Sequence, residues 1–197
     1  LPTVSPTYPK WEQDLARCLD AGARGIRLAP QIQGYRLNGP VGTALVEAIV
    51  SAGLPVFIPH RIEDIRERHW MDPGSDLEFD VIADVIEQFP EATFVVNNAR
   101  GISRSELWRR QNVRDANWFV DLSLAEIHYG LHWDMTNNCD LAVMIEEGGA
   151  GHFVFGTHQP FSYVASALVK LATLGVDEDL LTRIACGSAN TILGLED

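Results

Sequence analysis

Residues 53–61 read Gly-Leu-Pro-Val-Phe-Ile-Pro-His-Arg, GLPVFIPHR. The stretch is a short apolar run set between a glycine and a polar cluster, and no polar residue alternates within it. A strand with one wet face alternates; a strand buried on both faces does not, and unbroken apolar strands belong to parallel sheets covered by helices. The preceding residues agree, because 41–52 carry a helical pattern that Gly53 ends as a natural C-cap. The local unit is therefore helix, tight turn, buried strand and polar strand end.

That unit recurs along the chain. Short β-type runs fall at 1–5, 25–30, 55–60, 93–97, 118–123 and 152–156. Helical patterns fall at 11–21, 41–52, 77–89, 104–111, 138–147, 163–174 and 178–193, the last with Asp177 as N-cap. Within 77–89, Leu77, Val81, Ile82, Val85, Ile86 and Phe89 share one face. Six βα units in a row predict an α/β fold around a buried parallel sheet. A doubly wound sheet and a (β/α)₈ barrel both fit, and six units are two short of the barrel's eight. No GxGxxG or GxxxxGKS/T turn follows any strand, so the nucleotide-binding form of the open sheet has no support.

Composition narrows the function. With 197 residues, 46% of them hydrophobic, the chain suits a single domain over 1–197. There are 15 basic and 27 acidic residues, a net charge of -12, and no Lys/Arg run. Nucleic acid and anionic membrane both require basic patches and are excluded as partners. Cys18, Cys139 and Cys186 are far apart and odd in number, which points to a reducing, cytoplasmic setting. No apolar run reaches the ~18 residues of a membrane span, and the opening residues lack the pattern of a signal peptide.

In either architecture, chemistry sits just past the C-terminal ends of the strands. Those ends carry Pro30-Gln31, Pro59-His60-Arg61, Asn97-Asn98-Ala99-Arg100, Asp121-Leu122-Ser123 and Thr157-His158-Gln159. His158 is the leading candidate, as an imidazole that titrates near neutrality and can act as a base; the plainer reading is a loop histidine bonded ahead of Pro160. His60 and Arg61 open the stretch HRIEDIRERHW. Arg61, Arg66 and Arg68 are of the type that grips a carboxylate with two parallel bonds, although Glu63 and Glu67, four apart, read more simply as a solvated helix face. Asn98 offers amide donors to a carbonyl, and Arg100 and Gln31 are substrate-binding candidates beside it. Asp121 is either a structurally paired carboxylate or a substrate contact. His128 and His132, at helical spacing before Trp133, lack a third ligand and read as loop packing. His69 and Trp70 suit a lid or interface. His152 begins its strand, at the wrong end for catalysis.

Five segments together resemble the amidohydrolase superfamily, in its amidohydrolase-2 branch of metal-dependent TIM-barrel hydrolases and decarboxylases. They are GARGIRLAPQIQGYRLN (22–38), AGLPVFIPH (52–60), FPEATFVVNNARG (89–101), HFVFGTHQPF (152–161) and IACGSANTILGL (184–195). The resemblance implies a TIM-type barrel of which this chain supplies about six units, barrel strands three to eight, without the first two. It implies hydrolysis of a C–O or C–N bond in a small carboxylate or carbonyl substrate, with decarboxylation as the sister reaction. It also implies a divalent metal, zinc or manganese, but the ligand set is incomplete here. The family's fifth-strand His falls on Pro59 with His60 one place later, its sixth-strand His on Asn98, and its eighth-strand Asp on His158. Ala29 and Ser188 stand where the family has His and Asn. His60 and His158 are the remaining metal candidates. The losses leave open a metal-independent hydrolase, with His158, His60 and Asn98 catalytic, or a barrel that binds a ligand or partner without catalysis. Open sheet edges invite a homo-oligomer to cover them.

Overall fold

Every strand of the sheet runs the same way and pairs with its neighbours in sequence. The computed structural model describes residues 1–62, 69–71, 74–99, 101–123, 140–159, 163–172 and 175–195. The strands are β1 (Ile26–Arg27), β2 (Val56–Pro59), β3 (Phe94–Asn97), β4 (Trp118–Asp121) and β5 (Phe153–Val154). They lie in the order β1-β2-β3-β4-β5, all parallel. A doubly wound sheet reverses its order at a switch point; this one never reverses. Right-handed crossovers then place the connecting helices on one face, which is how the wall of a barrel is built.

The helices are α1 (Trp11–Asp20), α2 (Pro30–Gln33), α3 (Pro40–Ser51), α4 (Phe79–Gln88), α5 (Glu106–Arg109), α6 (Gln111–Arg114), α7 (Asp140–Glu146), α8 (Val164–Ala172), α9 (Glu178–Thr182) and α10 (Ser188–Leu193). Residues 1–5 do not form the strand expected of them: Thr3 makes one isolated parallel bridge to Arg27, and Arg27 N–H donates to Pro2 O. Pro2 and Pro6 have no N–H to extend a ladder. The helix expected at 104–111 is broken, because Arg110 adopts an extended conformation between α5 and α6.

Strand alternation sorts the side chains into two cores. Ile26, Val56, Ile58, Phe94, Val96, Trp118, Val120 and Phe153 are buried toward the helices. Phe57, Val95 and Val154 face the other way, toward what would be the barrel interior, and pack on Ile192 of α10. The C-terminal helix reaches that position through a π turn at Arg183–Gly187. Such a turn releases a carbonyl from the regular ladder, and here Ile184 O accepts the N–H of Phe155, the first residue past edge strand β5. No helix among the described residues is long and apolar enough to cross a membrane.

Candidate functional site

The inward positions continue past the apolar layer. Because Phe57 pairs with Val95 and Val95 with Phe119, the next inward row is Pro59, Asn97 and Asp121. These three lie at the C-terminal strand ends, where parallel α/β folds carry their chemistry.

Asp121 is the centre of that row. Asn97 Nδ2 donates to Asp121 Oδ2 at 3.1 Å, and Ser123 N–H donates to Oδ1 at 2.6 Å. The residue is only part-buried, but its carboxylate is enclosed, and that burial pushes its pKa above the usual carboxylate value. The bonds from Asn97 and Ser123 pull the other way, as does the nearby charge of His158. The Asp121 carboxylate therefore lies within electrostatic reach of His158. Gly156 makes room for this: a Cβ there would overlap Asp121 Oδ1.

A second row of bonds ties the strand ends together. Arg61 Nε donates to Asn98 O at 3.0 Å, and Asn98 Nδ2 donates back to Arg61 O at 3.3 Å. Ser123 Oγ donates to Asn98 Oδ1 at 2.9 Å. Asn98 thus links the ends of β2, β3 and β4, and both ends of its amide are engaged. Asn98 and His158 have φ of 51° and 55°, a left-handed conformation that non-glycine residues seldom adopt. Strained backbone of this kind gathers at functional sites.

His60 lies on the opposite side. Its ring stacks on Phe79 of α4 with centroids 4.1 Å apart, and Nδ1 meets Leu77 O at 2.8 Å. The physical reason is the strand period, which turns His60 outward once Pro59 faces in. Burial lowers its pKa, with the Leu77 carbonyl opposing, so the ring is neutral near pH 7. Gln31 completes the sheet. Leu28 N–H bonds Phe57 O, and the next donor along would be Pro30, which has none. Gln31 Nε2 substitutes, donating to Pro59 O at 2.8 Å and His60 O at 3.2 Å. Arg100, Arg66, Arg68, Glu63, Glu67, His128, His132, Trp133, Cys139 and Pro160 lie outside the described residues. His152 sits below β4, stacked on Trp118.

The structure therefore gathers His158, Asp121, Asn98 and Arg61 at one end of the sheet and places His60 and Gln31 in its frame. Asn97 and Ser123 were passed over in favour of Asn98. The two-residue period could have found Asn97, since it shares the face of Val95. Among the described residues, no three His, Cys, Asp or Glu side chains gather closely enough to hold a metal ion. With Pro59 in the inward place on β2 and amides on β3, these residues do not by themselves fit one. A cavity of about 570 Å³ opens at the opposite, N-terminal end of the strands, between Arg24, Glu91 and Thr191, away from these groups.

Comparison with known proteins places this geometry in context. The model of the Amidohydrolase family matches residues 9–195. The fold is similar to 5-carboxyvanillate decarboxylase LigW from Sphingomonas paucimobilis, with a TM-score of 0.69 and 16% identity over 98% of this chain and 66% of that one. It is also similar to a 5-carboxyvanillate decarboxylase from Novosphingobium aromaticivorans complexed with manganese and 4-hydroxy-3-methoxy-5-nitrobenzoic acid, with a TM-score of 0.71 and 14% identity over 98% and 63%. A third similar structure, from Pseudomonas putida, is provisionally described as a 2-pyrone-4,6-dicarboxylic acid hydrolase, with a TM-score of 0.62 and 19% identity over 94% and 68%. The chain thus spans about two thirds of the length of these proteins. No curated protein sequence matches it.

Proposed function

Because this chain belongs to the amidohydrolase family, we propose that it serves an enzyme that hydrolyses a C–O or C–N bond in a small carboxylate or carbonyl substrate. The observation that carries the reading is the enclosed Asp121 carboxylate held by Asn97 and Ser123 beside His158. In this reading His158 accepts a proton from water as the water oxygen attacks the substrate carbonyl. The negative charge of Asp121 stabilises the imidazolium that results. The proton then passes to the departing oxygen or nitrogen as its bond to carbon breaks. Arg61, aligned by its bond to Asn98, holds the substrate carboxylate, with Arg100 as a second anion-binding candidate. Asn98 is a positioning residue, since its amide is engaged by Arg61 and Ser123. No step is routed through a metal.

Decarboxylation is the second reading. It is favoured by the rise in the pKa of Asp121, because carbon that loses CO₂ must take up a proton, and a carboxyl that holds its proton more tightly than usual is suited to supplying it. Two of the three similar structures are decarboxylases, which supports weighing it. A cytoplasmic setting and a homo-oligomer belong to the same proposal.

The test is turnover of a panel of lactones, amides and hydroxybenzoates, followed by chromatography and CO₂ release. Product from a lactone or amide that falls at least a hundredfold in His158→Ala supports hydrolysis, and CO₂ release supports the second reading. If nothing turns over while carboxylates still bind His158→Ala, catalysis is absent and the site is a binding site only.

A further inference from the structure

The cavity of about 570 Å³ at the N-terminal end of the strands has the size of a small-molecule site, for which about 300–1,000 Å³ is usual. Helices α1, α3 and α10 end beside it, with Gly22, Gly53 and Gly194 in the wall. A Cβ at Gly22 or Gly53 would meet nothing within 4 Å, so that side of the cavity is unobstructed.

The wall carries one cation, Arg24, and one anion, Glu91, and both side chains are exposed and within a ligand's reach. Arg24 Nη1 makes one long bond, to Gly194 O at 3.4 Å. Among the described residues, neither charge is in an ion pair. Strand register explains why they do not neutralise each other. Ile26 pairs with Val56 and Val56 with Phe94, so Arg24 stands two strands away from Ala92 and Glu91. Neighbouring strands lie about 4.8 Å apart, which roots the two side chains about 10 Å from one another. Leu54 precedes the strand between them, and with Val50, Ile192 and Leu193 it gives the cavity an apolar middle.

We infer that this cavity binds a small zwitterion, an α-amino acid with an aliphatic side chain. Its carboxylate takes the Arg24 guanidinium, its ammonium takes the Glu91 carboxylate, and its side chain lies against Val50 and Leu54. An anion alone would face Glu91 and a cation alone would face Arg24; a ligand carrying both signs is complementary to both walls. The apolar middle selects an aliphatic side chain over a polar one. The inference is independent of the chemistry proposed at Asp121, which lies at the opposite end of the sheet.

The test is calorimetric titration of the 197-residue chain with L-leucine, alongside 4-methylpentanoate, which lacks the ammonium, and leucinamide, which lacks the carboxylate. Saturable binding of L-leucine is expected, with each control about tenfold weaker, the worth of one hydrogen bond to a charged group. Arg24→Gln and Glu91→Gln alter exposed side chains and retain the fold, and each should weaken L-leucine about tenfold. Arg24→Gln should also cease to distinguish L-leucine from leucinamide, and Glu91→Gln to distinguish it from 4-methylpentanoate. Absence of saturable binding, controls that bind as tightly as L-leucine, or variants that bind like the parent would overturn the inference and leave Arg24 and Glu91 as solvated surface charges.

Discussion

Gly156→Ala should be among the most damaging single-methyl changes in this protein. Gly156 has no positive φ, so the backbone itself accepts alanine, and the whole penalty comes from Asp121. The added Cβ would overlap Asp121 Oδ1 and sit 2.7 Å from the carboxyl carbon. An ordinary carbon–carbon contact is about 3.5–4.0 Å, so the carboxylate must retreat by roughly 1 Å. It is held in place by Asn97 Nδ2 at 3.1 Å and Ser123 N–H at 2.6 Å, and such a shift breaks at least one of these bonds. Overpacking costs about 1–3 kcal/mol, and a hydrogen bond to a charged group is worth about 1.5–3 kcal/mol. Together they predict a loss of about 3–4 kcal/mol, a large share of a typical domain's stability. The assay is urea unfolding in a double-mutant cycle with Asp121→Ala. In that background the three atoms nearest the added methyl, all of the Asp121 carboxylate, are gone, and the change should cost less than about 1 kcal/mol, giving a coupling of roughly 3 kcal/mol. If Gly156→Ala costs less than about 1 kcal/mol alone, or as much with Asp121 removed as with it present, the packing argument is refuted.

Other expectations follow from the same contacts. Asp121 has a raised folded pKa, so its contribution to stability is fully present below the ordinary carboxylate value of about 3.9 and is lost as pH rises through the folded one. Asp121→Asn should therefore gain stability relative to the parent as pH rises above about 3.9, and a constant offset in urea midpoint would contradict this. His152 is the reverse case. It stacks on Trp118, bonds Trp118 O, and has its pKa lowered by burial and by Arg114, so its contribution is present above about pH 6.5 and fades as pH falls through the folded value. His152→Phe should flatten that acid limb at the cost of about 1 kcal/mol near pH 7.5, read by thermal unfolding across pH. Gln31→Leu removes both bonds to the end of β2 and should cost about 1–3 kcal/mol in urea unfolding; a neutral result would mean that the broken ladder at Pro30 needs no substitute donor.

Much of this was legible in the residue order, for identifiable reasons. Runs such as Val56-Phe57-Ile58 and Phe94-Val95-Val96 announce strands buried on both faces, because polar residues cannot be accommodated on either. The amphipathic pattern at 77–89 fell within one turn of α4 at either end. The helix expected at 178–193 instead contains a π turn, which depends on a bond from Phe155 that no local pattern encodes. At the site, two-residue alternation requires Pro59 and His60 to face opposite ways, and the ring stacked on Phe79 follows that rule. The same rule, applied to Val95, would have brought Asn97 forward.

The sequence by itself determined the repeated βα unit, the parallel sheet and the end of the sheet where chemistry belongs. All of these are properties of short-range periodicity and composition, each written within a few consecutive residues. Tertiary structure alone decided that the sheet never reverses its order, that α10 packs on its inner face and that Asp121 rather than His60 lies within electrostatic reach of His158. Those outcomes join residues dozens of positions apart. They are set by register between strands and by which carbonyls and carboxylates remain to be satisfied once the backbone is in place.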